Sequence, residues 1–292
     1  MFLVQQWHNL LKKKYKKQIK LLIIEESDVL DQAIELLDQS LFKVFRLFDF
    51  NDQSIKEKCA LFYYEQRKNK DNISLKDAYR SIESNPINFA SALIGLNYVD
   101  ILILGIIYDS KSCFSSILKL LKNPDNSTAY STMVMYKDNE LIFMSDCALN
   151  ISINKEQIKP LVNYSYLLAK QCFFVDQNCA GLISYQTNND YSDSSINLLG
   201  SLQFDALVDP KVRAIKLANS HNHIINHYIF LDLITANTVF KIYAHKMNYL
   251  TIGSYIHNIQ RSISVLSRSA TVDEIVATVY LLGFDFVLKS EK

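Results

Sequence analysis

Residues 101–107 read Ile-Leu-Ile-Leu-Gly-Ile-Ile, bounded by Asp100 and Asp109. A strand with one wet face alternates apolar and polar residues, whereas a strand covered on both faces, as in a parallel sheet, is apolar throughout. The run is strand length and far short of the ~20 apolar residues a membrane-spanning helix needs. Ile19–Ile24 has the same character, and the period then changes. Ser27 and Asp28 are candidate N-caps, followed by Val29, Leu30, Ala33, Ile34, Leu36 and Leu37 at helical spacing. Leu41–Phe48 reads as a second strand, and Ser54–Lys68 and Ser74–Ile82 as helices, with Ser74 and Asp77 in capping-box positions. Strand, helix and strand in alternation predict an α/β layer architecture with parallel pairing.

Further along, Tyr130–Tyr136 and Leu141–Ser145 flank Lys137-Asp138-Asn139-Glu140, a hairpin signal with Asp and Asn where unusual backbone angles are needed. Gln157–Phe174 reads as a helix, Ala180–Tyr185 as a strand, Thr187–Ser195 as a loop and His227–Leu231 as a strand. A helix near Ile234–Met247 and a last helix from Thr271 to about Leu282 follow. The hairpin near residue 130 is the expected seam between two α/β lobes.

The chain has 292 residues with only 6 Gly and 4 Pro, where average usage gives roughly 20 and 15. It contains no G-x-G-x-x-G and no G-x-x-x-x-G-K-[ST], so dinucleotide-fingerprint and P-loop functions are disfavoured. Lys+Arg 31 against Asp+Glu 30 offers no footprint for nucleic acid. One local exception is Lys12, Lys13, Lys14, Lys16, Lys17 and Lys20 behind Trp7, Leu10 and Leu11, read either as an anionic-surface patch or as a solvated helix face. Five cysteines without a C-x-x-C pair point to a reducing compartment. The lysines follow the apolar residues, the reverse of a signal peptide. A cytoplasmic protein without membrane or nucleic-acid partners is expected.

Several blocks, in order, resemble the phosphate acetyltransferase and phosphate butyryltransferase family. They are Phe62–Lys68, Phe143–Asn150, Leu182–Thr187, Leu202-Gln203-Phe204-Asp205-Ala206, Phe230–Leu233 continuing to Asn237, and Leu266-Ser267-Arg268 with Thr271–Ile275. The resemblance implies two α/β lobes with a cleft between them, in an isopropylmalate-dehydrogenase-like fold. The lobes would be residues 1–127 plus 256–292, and 128–255. It also implies reversible acetyl transfer between CoA and phosphate, CoA and acetyl phosphate as substrates, no metal or resident cofactor, and a homodimer.

By the same resemblance, Ser267, Arg268 and Glu274 are the catalytic candidates, and Arg67, Ser110, Lys111, Asp232 and Asn237 the substrate-binding ones. The residues themselves allow a second reading for most. Ser267-Arg268 precede a helix start, where orphan N–H groups and a planar guanidinium suit phosphate, or they form a surface loop with Arg268 paired to an acid. Glu274 stands where the family's general base is usually Asp, and is also the fourth residue of a Thr271-x-x-Glu274 capping box. Arg67 matches a cleft arginine or is solvated among Glu65, Lys68 and Lys70. Asp232 and Asn237 either meet substrate or cap the following helix. His221, His223 and His227 lack a carboxylate or Cys partner nearby, so no metal site is expected.

The stretch Gly105–Ser116 departs from the family pattern. Ser115-Ser116 replace an Arg-Pro pair, Asp109 adds a negative charge, and Lys111 restores part of the positive one without bidentate geometry. Gly105, Gly200 and Gly253 fall at family glycine positions, whereas Glu26, Asn189, Ala236, Asn258 and Ser269 stand where the family usually has Gly. The alternative expectation is therefore an inactive homologue that binds CoA or plays a structural role. A dehydrogenase on a similar fold would lack any visible nicotinamide motif.

Overall fold

The computed structural model describes residues 2–123, 127–217 and 223–291. The chain opens with α1 (Phe2–Lys14), β1 (Ile19–Ile23), α2 (Asp28–Glu35) and β2 (Phe42–Phe45). A 3-10 turn at Leu47–Phe50 precedes α3 (Gln53–Asp71), α4 (Leu75–Ser84), α5 (Pro86–Gly95), β3 (Ile101–Leu104) and α6 (Ser110–Leu121). Next come β4 (Tyr130–Lys137), β5 (Glu140–Ser145), α7 (Lys155–Phe173), β6 (Ala180–Ile183) and β7 (Leu198–Leu202). Then follow α8 (Phe204–Val208), α9 (Pro210–Lys216), β8 (His227–Ile229), α10 (Leu233–His245) and β9 (Leu250–His257). β10 (Ser262–Val265) and α11 (Val272–Ser290) end the chain. Two compact units result: Met1–Ala129 with Asn258–Lys292, and Tyr130–His257.

In the first unit the strands lie parallel in the order β2-β1-β3-β10. Every residue of β3 is buried, as its apolar run requires. The strand stops at Leu104 rather than at Ile107 because Gly105 turns the chain with φ +109. β2 likewise ends at Phe45, short of the predicted Phe48. The helix α5 gives no periodic signal, since Ile87 through Ile94 are buried on all sides. Its start is nonetheless written in the chain: the Asn85 side chain accepts from the N–H groups of Ile87 and Asn88, and Pro86 occupies the first helical position. α1 packs its Leu3, Trp7 and Leu11 stripe against α11. The lysine cluster faces solvent, with Lys12 paired to Asp38 at 2.8 Å and Lys14 to Glu291 at 3.0 Å.

In the second unit the order is β9-β4-β5-β8-β6-β7, antiparallel at β9–β4 and β4–β5 and parallel beyond. Asp138 and Asn139 take φ +48 and +67, the left-handed pair that the hairpin sequence predicts. Alternation along the strands sorts the core into two layers. Leu161, Val162, Leu182 and Ile229 pack on the α7 face, while Met135, Met144, Tyr228 and Phe230 pack on the face carrying Leu207 of α8 and Phe240 of α10. β9 and β10 escape hydropathy reading because buried Thr251, Ser254, His257, Ser262 and Ser264 interrupt them.

Candidate active site

Parallel pairing of β1, β3 and β10 places the loops after these strands at one edge of the first unit. β1 is followed by β2 on one side and lies beside β3 on the other, and in open α/β sheets ligands bind at such a switch point. The residue there is Glu25, only 3% exposed. Its Oε1 accepts from the N–H groups of Gly105 (3.0 Å), Ile107 (3.0 Å) and Tyr108 (2.8 Å), and its Oε2 from that of Ile106 (3.0 Å). One carboxylate thus accepts from four consecutive main-chain donors of the turn after β3. Arg46 fixes the other side of the residue, donating to the Glu25 carbonyl at 2.6 Å and to Asp31 at 2.9 Å. Sequence reading passes over Glu25; an acid directly after a buried parallel strand is the signal that marks it.

Gly105 joins this turn to the loop after β10. A Cβ there would lie 2.5 Å from the Leu266 carbonyl oxygen, and φ +109 disfavours any side chain. Gly105→Ala is therefore expected to lower the unfolding free energy by at least ~1–3 kcal/mol. An unchanged urea midpoint would contradict the tight approach.

Asp109 is the N-cap of α6, accepting from Ser112 N–H at 2.9 Å and Ser112 Oγ at 2.7 Å. Those bonds, with a smaller contribution from the Arg268 guanidinium, hold its carboxyl below the usual range. The acid that adds a negative charge to this stretch is thus a helix cap within electrostatic reach of Arg268. Ser110 and Lys111 follow it on the exposed first turn, and among the described residues neither side chain makes a hydrogen bond or ion pair. Ser115 and Ser116 lie inside α6, the former exposed and the latter buried.

The loop after β10 carries Ser267 and Arg268. Ser267 Oγ lies 2.9 Å from Ser269 Oγ, and its carbonyl accepts from Ala270 N–H at 2.9 Å. Arg268 is exposed, with no hydrogen bond or ion pair among the described residues. Glu274 closes the capping box of α11: Thr271 N–H donates to its Oε2 at 2.8 Å, and Glu274 N–H to Thr271 Oγ1 at 3.4 Å. Both readings of Glu274 are compatible with one place, because the cap holds its carboxylate at the helix N-terminus, six residues after Arg268.

The remaining candidates are engaged within their own units. Arg67 donates bidentately to Asp71 one turn along α3, at 2.7 and 2.6 Å, so it is neither solvated nor a free cation. Glu65 instead takes Lys68. Asp232, in the second unit, N-caps α10 through Thr235 N–H (2.7 Å) and Oγ1 (2.8 Å). Asn237 donates to the Cys147 carbonyl at 3.4 Å. His227 is buried between Ser165 and Asn178, and His221 lies outside the described residues. Among the described residues no three His, Cys, Asp or Glu side chains converge as a metal site would require. Asn258 holds φ +59 at a family glycine position, whereas Asn189 does not; Tyr191 takes the left-handed turn there.

The Ser267–Arg268 loop therefore presents a hydroxyl and a planar cation without a hydrogen bond or ion pair among the described residues, just before a helix N-terminus, a setting suited to an anionic group. Among known proteins, a phosphate acetyltransferase of Helicobacter pylori is 27% identical over 282 residues, covering 90% of this chain and 53% of its own length. One from Mycoplasma capricolum is 25% identical over 267 residues, covering 85% and 80%. The chain spans about a third to a half of the length of the first curated relatives it matches. A phosphotransacetylase structure from Streptococcus pyogenes superposes with TM-score 0.79 at 21% identity, covering 97% of this chain and 98% of that one. EutD phosphotransacetylase from Staphylococcus aureus gives 0.72 at 19%, covering 97% and 99%. At that identity the likeness establishes the fold. The family profile described as phosphate acetyl/butaryl transferase matches residues 8–198 and 189–282, and the chain belongs to that family.

Proposed function

We infer that this chain is a phosphate acyltransferase, moving an acetyl group reversibly between CoA and phosphate. The observation that carries the reading is Arg268, exposed and without an ion pair among the described residues, beside Ser267 after the end of β10 and ahead of the α11 N-terminus. In the thioester-forming direction Glu274 takes the proton of the CoA thiol. The thiolate then attacks the carbonyl carbon of acetyl phosphate, the bond from that carbon to the bridging oxygen breaks, and the departing phosphate takes the proton from Glu274. Arg268 and Ser267 hold the phosphoryl oxygens. The capping bond is compatible with this role, because a carboxylate offers about four acceptor sites.

Purified protein given acetyl phosphate and CoA is expected to form the thioester. Arg268→Met removes a charge-assisted contact of ~1.5–3 kcal/mol, a loss of about 10- to 150-fold in kcat/KM. No thioester from the wild-type chain, or equal rates in the variant, would overturn the reading. The reading includes a cytoplasmic homodimer. Ile151 and Ile234, both 82% exposed on adjoining backbone of the second unit, support self-association, and sedimentation tests it.

A second reading is favoured by Arg67 being committed to Asp71 and by Ser115-Ser116 offering no cation. A chain that binds CoA without turnover accounts for both. Saturable CoA binding with no thioester formed would select it.

A further inference from the structure

The second unit contains a half-open cavity of about 410 Å³ outside the site described above, within the size range of small-molecule pockets. Phe204, Tyr228, Tyr243 and Tyr249 form much of its wall, and Arg213 lies among them. Arg213 is 1% exposed. Its Nη1 donates to the carbonyls of Ala206 (3.0 Å) and Leu207 (3.1 Å), and its Nη2 to that of His223. Those bonds fasten the guanidinium to the end of α8 and use three of the five N–H donors. They do not neutralise it.

No acid among the described residues pairs with it. Asp209 is occupied as the N-cap of α9, accepting from Lys211 N–H at 2.8 Å. The neighbouring Cys179 thiol is pushed up to about 11 by burial and stays neutral. Among the described residues the Nε–H has no hydrogen-bond partner. A buried, unpaired charge with an unmet donor costs stability unless an anion completes it.

We propose that this cavity is a binding site for a small apolar monocarboxylate, whose carboxylate meets the Arg213 guanidinium while its body lies against Phe204 and the tyrosines. A carboxylate matches the two donors that have no partner among the described residues, Nε–H and one Nη2 hydrogen. The walls require an apolar body. A single negative charge is favoured over a phosphate because Glu140, whose carboxylate accepts the Tyr249 hydroxyl, stands on the same cavity and repels a dianion. None of these residues belongs to the acyl-transfer site, so the proposal stands or falls separately from it.

The test titrates the full chain with 3-phenylpropanoate by calorimetry, with the neutral 3-phenylpropanamide as control. Saturable one-to-one binding of the acid and at least about tenfold weaker binding of the amide are expected. Arg213→Met should abolish the difference, but it strands three carbonyls and risks misfolding. Val208→Trp is therefore the second variant: Val208 lines the cavity and is 44% exposed, so a larger side chain fills the space without touching the guanidinium. It should weaken the acid about tenfold or more at unchanged thermal midpoint. Equal binding of acid and amide, no saturation by the acid, or full binding by a folded Val208→Trp overturns the proposal. A wild-type dimer that Val208→Trp splits, with no acid bound by either, also overturns it and assigns the face to a second copy of the chain.

Discussion

Glu25→Ala is expected to lower the unfolding free energy by about 4 kcal/mol or more. Four N–H donors lose their carboxylate acceptor, and each buried donor left unmet costs ~1–3 kcal/mol. Water entering the space reduces the sum but cannot restore a fixed acceptor at the centre of the turn. Against a total stability of ~5–15 kcal/mol the loss is severe. Glu25→Gln is a sharper probe, since its amide nitrogen would present a donor toward either Ile106 N–H or the three amides served by Oε1. Glu25→Asp withdraws the carboxylate by one methylene and should fail in the same direction. The neighbouring Glu26 is exposed, and Glu26→Ala should stay within ~0.5 kcal/mol of wild type. Urea unfolding ranks the four proteins. Hydrogen exchange localises the effect, with faster exchange expected at residues 105–108 in the Glu25 variants. A loss below ~1 kcal/mol with exchange unchanged there would mean that the turn holds itself. In the acyl-transfer reading the same defect moves the start of α6 and its cap Asp109, which lies within electrostatic reach of Arg268.

What the sequence displays and what it hides divides along one physical line. Local devices are visible: the Ser74–Asp77 and Thr271–Glu274 capping boxes, the Asp138-Asn139 turn and the buried run of β3 are each written within a few residues, and all form. Gly105 is visible in the sequence, but the approach to Leu266 and the φ of +109 that require it are not. Partnerships across long separations are not. Glu25 is an ordinary acid until β3 comes to lie beside β1, eighty residues later in the chain. Arg67 is hidden for a different reason: Asp71 is only one turn away on α3, but the sequence does not select it over Glu65 as the partner. The helix α5 shows the converse failure, where complete burial erases the period that exposes a helix.

The second unit holds the most hidden partnership, and it makes stability depend on pH. His227 is fully buried, stacked on Phe143 with ring centroids 4.6 Å apart. Its Nε2 lies 2.8 Å from Asn178 Oδ1, an acceptor, so Nε2 carries the hydrogen and Nδ1 must accept from Ser165 Oγ at 2.7 Å. Ser165 then receives from Ser145 Oγ (3.3 Å), Ser145 from Thr132 Oγ1 (2.6 Å), and Thr132 from His257 Nε2 (2.7 Å). Each hydroxyl donates once along this line, and all the donors run from His257 toward His227. A proton added at His227 Nδ1 would oppose the Ser165 hydroxyl and force the whole line to reverse. Burial accordingly pushes the His227 pKa well below its ordinary value. The unfolded chain binds a proton near pH 6.5 while the folded chain does not, so stability is full above that pH and falls below it. The slope for one proton is ~1.4 kcal/mol per pH unit, giving a loss of about 2 kcal/mol between pH 6.5 and 5. Asp146, whose carboxyl burial raises, acts in the opposite sense as the pH falls, so the wild-type curve alone is not diagnostic. The difference between wild type and His227→Gln isolates the imidazole. The variant is expected to be less stable at pH 7.5 by ~2–4 kcal/mol, because Ser165 and Asn178 lose fitted partners, and to lose the difference as the pH drops. Urea denaturation at half-unit pH steps reads both numbers, and parallel curves from pH 7.5 to 5 would show that His227 protonates as readily in the folded protein as in the unfolded chain.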